Sequence, residues 1–346
     1  MVMECREGRT LQEVGFDGLS SAQRVHLFDQ VADVLLQLRR QEFSRMGSLS
    51  LERLDVAGRP FSVEANGQEM EGLQASYIWG PATTYSSAQA YCDSVIHLAV
   101  NGFVRARYAV YDRGDAEEML YYLNGFRDFV SNWLDPGLDA GPFVLAHGDF
   151  RPANLLVDPE SLDLVAVLDW EWSGVVPLQM FAPPTWLTWR ELGGLCNNRR
   201  YDAYVGQLEV FVDHVARRES ATAPADASSS LSAKWRLAGR HGSVLIAAAL
   251  NNPTDISTVY AFVDGRFCKH AESLATRITA FLRDDTSRQA LVAKKVREMR
   301  LYKIELWFHN LASSRSVGYI MFYLAVLLAL VTAVSSNSLR LTLWYR

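Results

Sequence analysis

The chain has 346 residues, 49% of them apolar, with 34 Lys and Arg against 39 Asp and Glu and a formal net charge of -5. That length and apolar share can fill the core of one large or two modest domains, which excludes a disordered chain. No Lys/Arg-rich arm is interleaved with aromatics, so the acidic balance argues against a nucleic-acid partner.

Cys5, Cys92, Cys196 and Cys268 are scattered, with no Cys-x-x-Cys pair and no His at ligand spacing. Neither a zinc site nor a disulfide framework is expected, and a reducing compartment fits. The N-terminus, Met1-Val-Met-Glu-Cys-Arg, lacks the apolar core of a signal peptide, which argues against secretion.

In chain order, the first clear element is a helix from Ser20 to Arg40. Ser20 or Ser21 caps it, Val25, Phe28, Ala32, Leu35 and Leu38 recur at three- and four-residue steps, and Arg39-Arg40 closes the last turn. His26 on this helix has no second ligand four residues away and reads as a surface residue. Residues 44–85 are punctuated by Gly and Pro and read as a loop-rich insertion with one hairpin. A second helix is expected from Ala116 to Leu134, with Met119, Leu123, Phe126, Val130 and Trp133 in one core-facing stripe.

The most informative stretch runs His147-Gly148-Asp149-Phe150-Arg151-Pro152-Ala153-Asn154 and is followed by Leu168-Asp169-Trp170-Glu171. It sets an Asp, an Asn five residues on, and a second Asp beyond an apolar run. Phosphoryl transfer from ATP uses this kit: one Asp accepts the proton of a hydroxyl, while an Asn and another Asp hold magnesium, a hard ion that prefers oxygen. Pro152 punctuates the turn between Asp149 and Asn154. Leu155-Leu-Val and Leu164-Val-Ala-Val-Leu168 read as two strands around Asp158–Asp163, a hairpin that would return Asp169 to the neighbourhood of Asn154.

After Asp169 come Trp170, Trp172, Phe181, Trp186 and Trp189, which either wall a substrate pocket or pack the core. Glu171, two residues on, would share a strand face with Asp169. Helices are expected at Tyr201–Arg217, Glu272–Leu282 and Thr286 to about Leu311, with a low-complexity flexible loop at 219–233. The uncharged apolar run 317–334 is at the lower limit for spanning a bilayer, with Arg300, Lys303 and Arg315 before it. It reads as a C-terminal anchor with the preceding body in the cytosol, as an apolar helix docked on that body, or as an extension foreign to it.

His147-Gly-Asp149 with Asn154, followed by Leu168-Asp-Trp-Glu171, resembles the motifs of the aminoglycoside phosphotransferase family, related to choline kinases and distantly to protein kinases. Pro183-Pro-Thr-Trp-Leu-Thr188 is similar to a segment of its fungal-type members. The resemblance implies a mostly helical α+β fold: residues 16–311 as the C-terminal lobe of a protein-kinase-like fold, with a β-hairpin carrying the metal site, and 312–346 as a tail. It implies Asp149 as catalytic base, His147 and Arg151 as residues shaping its loop, Asn154 and Asp169 as magnesium ligands, and ATP with Mg2+ as cofactors. Residues 1–15 would be the interlobe hinge, with Met3, Glu4 and Cys5 receiving the adenine. The family's small N-terminal lobe, with its glycine-rich loop and phosphate-gripping lysine, is not found. Either the true start lies upstream, or the product is truncated, or another chain supplies that lobe. Two functions follow: an ATP-dependent kinase of a small-molecule hydroxyl, or a non-catalytic pseudokinase or interaction module, with or without a membrane tether.

Overall fold

The computed structural model describes residues 6–16, 18–50, 55–222 and 230–313. Strand β1 (Arg9–Thr10) and the single turn α1 (Leu11–Val14) lead into α2 (Ser21–Arg39), the helix expected from sequence. Ser20 accepts from the Gln23 backbone N–H while the Gln23 side chain accepts from the Ser20 N–H, which satisfies two groups the helix itself cannot pair. Leu27, Phe28, Val31, Ala32, Leu35, Leu36 and Leu38 are buried, the large ones contributing about 2 kcal/mol each. Val25, expected among them, is 46% exposed, because burial starts only at Leu27 and then covers a broader arc than the predicted stripe.

Strand β2 (Glu42–Phe43) follows, and the hairpin anticipated in 44–85 is β3 (Ser48–Ser50) with β4 (Asp55–Gly58). The same stretch holds a helix that composition concealed, α3 (Val63–Met70). Asn66 and Gly67 are poor helix formers, but Ser62 caps its start and buried Gln68 donates to the Leu98 carbonyl at 2.9 Å, tying it to α4 (Ala88–Arg105). Next, α5 (Arg113–Trp133) starts three residues before its predicted onset because Asp112 caps it.

The motif region supplies β5 (Phe143–Ala146), β6 (Leu155–Val157), β7 (Leu164–Val167) and β8 (Gly174–Pro177). They form two small antiparallel sheets in the orders β1-β6-β7 and β2-β5-β8. The remaining elements are α6 (Leu192–Leu195), α7 (Asn198–Thr222), α8 (Leu231–His241), α9 (Ser243–Asn251), α10 (Ile256–Phe267), α11 (Leu274–Arg283) and α12 (Thr286–Ser313). The core is built where α7 packs on α2 and α8, and α5 on α10 and α12. The architecture is therefore mostly helical α+β.

Two expectations change, and others fall outside the described residues. The loop placed at 219–233 is narrower, since α7 runs to Thr222 and Glu219 turns to accept from the Leu231 and Ser232 N–H groups that open α8. Glu171 does not continue a strand beyond Asp169: Trp170–Trp172 is a 3-10 turn entered from left-handed backbone at Asp169. Residues 1–5, which include the adenine-contacting candidates Met3, Glu4 and Cys5, and the apolar run 317–334 lie outside the described residues. Among the described residues no helix is long and apolar enough to cross a membrane.

Candidate active site

The central strand β5, its Phe143 and Val144 buried, delivers the chain to His147, itself only 2% exposed. The His147 Nε2–H donates to the Leu168 carbonyl at 2.8 Å, and the Asp149 backbone N–H donates to Nδ1 at 3.3 Å. Those partners fix the neutral tautomer with its proton on Nε2. Burial lowers the pKa of the imidazole, opposed by its bond to Leu168. Gly148 has φ +80°, and a Cβ there would stand 2.0 Å from the Trp172 carbonyl oxygen, so this close crossing of β5's exit and β8's approach needs glycine.

Asp149 comes next, its side chain 30% exposed. Its Oδ2 accepts from the Asn154 Nδ2 at 2.8 Å and from the Arg151 Nε at 3.0 Å, while Oδ1 has no partner among the described residues. Asn154 Nδ2 also donates to the Asp149 carbonyl at 2.9 Å. Both acceptors are oxygens, which identifies the amide nitrogen and turns Asn154 Oδ1 away from Asp149. Asn154, 6% exposed, closes the 3-10 turn Pro152–Asn154 and enters β6.

The hairpin then does what its length suggested. β6 pairs antiparallel with β7, and Asp158 closes the connection by accepting from the Glu160 and Ser161 N–H groups. Helix α2 holds this connection: Gln30 donates to the Leu162 carbonyl at 3.0 Å and accepts from the Leu164 N–H at 2.6 Å, and His26 meets Asp163 at 2.8 Å. At the far end Leu168, the residue before Asp169, is gripped at both its backbone groups, its N–H donating to the Asn154 carbonyl at 2.8 Å and its carbonyl accepting from His147. Asp169 is exposed, has φ +64°, and has no partner among the described residues. For a residue other than glycine that backbone is strained, a common condition at functional sites.

Two cavities meet at this loop, and Gly148, Asp149 and Arg151 line both. One, of about 530 Å³, is also lined by Asp169, Glu171, Trp172 and Glu64. The other, of about 630 Å³, is walled by Phe150, Phe181, Trp186 and Trp189, with Glu191 and Asp255. Burial, aided by Glu191, raises the carboxyl pKa of Asp255 above its ordinary value. Trp186 does more than line: its Nε1–H donates to the Phe150 carbonyl at 2.8 Å, bracing the loop from outside. Sequence reasoning found Trp186 as one aromatic among several and missed Glu64, Asn251 and Asp255, which come from distant elements without a local signal.

Asp169 and Glu171 line the smaller cavity together with Asp149, and the buried Asn154 beside them turns its amide oxygen away from Asp149; oxygen donors of these kinds are what magnesium takes. A different trio, Asp264, Cys268 and His270, also comes together within seven positions of the chain, against the expectation of no His at ligand spacing from a cysteine. There the Arg277 Nη1 stands 2.9 Å from the Asp264 Oδ2 and 3.0 Å from the His270 Nε2, so a guanidinium already fills the place of a cation.

A mostly helical α+β body with a hairpin and acidic loop of this kind is of the kinase-like phosphotransferase class. The model of the phosphotransferase enzyme family, APH, matches residues 1–180, more than half of the chain, and the chain belongs to that family. Among solved structures, a candidate aminoglycoside phosphotransferase from Ralstonia eutropha is similar at 16% identity, over 76% of this chain and 72% of that one, with a TM-score of 0.39. No curated protein matches the chain.

Proposed function

We propose that the protein transfers the γ-phosphoryl group of ATP to a hydroxyl of a small molecule, with Asp149 as base and Asn154 and Asp169 as magnesium ligands. The observation that carries this is the double grip on the Leu168 peptide by Asn154 and His147, which draws the two halves of the motif together so that Asp149 and Asp169 line one cavity. Magnesium, when bound, would neutralise phosphate charge. The residues would do the rest. Asp149 keeps Oδ1 free to orient an acceptor hydroxyl and take its proton, while the new bond forms from that oxygen to the γ-phosphorus and the bond from phosphorus to the bridging β-γ oxygen breaks. His147 and Asn154 fix the Asp149 loop, and Arg151, bonded to Asp149 only through Nε, offers its remaining N–H groups to the phosphoryl group between the two cavities. Residues 16–311 would form one lobe, with 1–15 as its hinge and Met3, Glu4 and Cys5 against the adenine.

One observation favours the second reading, a non-catalytic pseudokinase or interaction module: no lysine lines either cavity among the described residues. The first reading predicts that Mg2+ and ATP together raise the melting temperature of the full chain, whereas a module without a nucleotide site shows no shift. Only the first predicts ADP release dependent on an added alcohol, abolished in Asp149→Asn while the thermal shift remains. No shift with nucleotide, or a shift without alcohol-dependent turnover in any of a panel of amino, sugar and neutral alcohols, refutes the first reading.

A further inference from the structure

Helix α12 has two unlike halves. Its first half is packed, with Val292, Lys295, Val296 and Met299 buried and the Lys295 Nζ donating to the Ala106 carbonyl at 2.6 Å and to Glu298 at 2.8 Å. Its second half runs along the surface of the body, and every side chain from Lys303 to Asn310 is exposed. Yet this half is apolar: Leu301, Ile304, Leu306, Trp307 and Phe308 are 43–58% exposed.

These side chains are not scattered round the helix. Leu301, Ile304 and Phe308 follow at three- and four-residue steps with Trp307 beside them, making one stripe. Continued toward the N-terminus, the stripe meets Arg297 and Arg300, both exposed and without an ion pair among the described residues. Leu306 instead falls with Met299 and Tyr302, on the side that faces the body, where Tyr302 meets Tyr108 at 5.6 Å between ring centroids. Arg107 fastens Glu305 through two bonds of 2.8 and 2.9 Å, so the helix is held in one rotation and its stripe is turned outward.

Basic residues, then Trp and Phe, then the uncharged run 317–334 of the sequence, form the order expected where a helix meets a membrane. We propose that this stripe of α12 lies on a bilayer with anionic headgroups, Arg297 and Arg300 at headgroup level and Ile304, Trp307 and Phe308 against the acyl boundary. Charge complementarity selects that occupant. A second copy of the chain is a poorer fit: four apolar side chains on about two turns fall well short of the roughly 1,200 Å² that a stable dimer buries. The contact is independent of the phosphotransfer chemistry and would hold the catalytic loop at a membrane surface.

The test places a photo-reactive residue singly at 304, 306 and 307 in the full chain, with phosphatidylcholine vesicles containing or lacking phosphatidylserine. Expected are lipid adducts at 304 and 307, little at 306, and a yield that falls about tenfold without phosphatidylserine or in Arg297→Gln/Arg300→Gln. Equal labelling at 306 and 307, adducts at 307 to protein alone, or a yield indifferent to phosphatidylserine overturns the proposal.

Discussion

Gly148→Ala probes the crossing on which the acidic loop depends. Two costs combine. Left-handed backbone at φ +80° costs an L-residue about 1–2 kcal/mol relative to glycine. The new Cβ would also stand 2.0 Å from the Trp172 carbonyl oxygen, where contacts under 3.0 Å do not occur, so one backbone must retreat by about 1 Å. Overpacking of that kind adds roughly 1–3 kcal/mol, for a total of about 2–5 kcal/mol. Gly72 supplies the internal control, because its φ is +72° but a Cβ there meets nothing within 4 Å, so Gly72→Ala carries the backbone cost alone, about 1–2 kcal/mol. Urea titration of the three proteins reads the difference from midpoints at constant slope. The Mg2+ and ATP thermal shift should be lost in Gly148→Ala and kept in Gly72→Ala. Equal midpoints for the two variants would refute the account of Gly148 as a forced close approach.

Three further outcomes follow from the same geometry. Asp169→Asn should leave the ligand-free stability within about 0.5 kcal/mol, since the side chain is exposed and Asn tolerates left-handed backbone, yet remove the magnesium-dependent part of the nucleotide shift; a retained magnesium effect in calorimetry would remove Asp169 from the metal site. Trp186→Phe keeps the ring but strips the Phe150 carbonyl of its donor, costing about 1 kcal/mol and lowering kcat more than KM, and a change confined to KM would show Trp186 to be only a wall. For His147, burial holds the folded pKa below the ordinary 6.5, so as pH falls the unfolded chain takes up the proton first. The stability contributed by neutral His147 is full above about pH 6.5 and drains below it, a limb that His147→Gln should flatten in urea midpoints measured from pH 7 to about 5; an unchanged limb assigns the acid sensitivity elsewhere.

Helix α2 and the β6–β7 hairpin were legible because their signals are local: a cap with a 3.6-residue stripe, and two apolar runs around an Asp-rich turn. Helix α9 escaped for the opposite reason. Val244 to Leu250 is buried on every side, and an element apolar all round has no period to find. Helix α3 carries Asn66 and Gly67 and stands through its cap and the Gln68 bond to α4, a tertiary effect that overrides propensity. In the candidate site, spacing singled out Asp149, Asn154 and Asp169 as candidates, but not the turn at Trp170–Trp172, since the sequence gives no sign of the left-handed backbone at Asp169. The cavity walls were the least legible part, assembled from Glu64, Trp186, Asn251 and Asp255 by packing over long sequence distances.

Burial divides the loop into two kinds of residue. His147 and Asn154 are 2% and 6% exposed and their bonds are spent on the protein: Leu168, Asp149 and the backbone between them. Asp149 and Asp169 reach solvent and each keeps at least one carboxylate oxygen free. A site arranged this way meets its cost of dipole alignment and desolvation during folding, before any ligand arrives, which is what makes preorganised groups effective on developing charge. The two kinds should therefore separate experimentally. Truncating His147 or Asn154 leaves buried polar partners unpaired and lowers stability by about 1–3 kcal/mol together with ligand binding, whereas neutralising Asp149 or Asp169 alters chemistry or metal binding at nearly constant stability. If Asn154→Ala, which keeps the backbone carbonyl that accepts from Leu168, proved as stable as the parent while losing only the magnesium effect, the amide would be a ligand without a structural role.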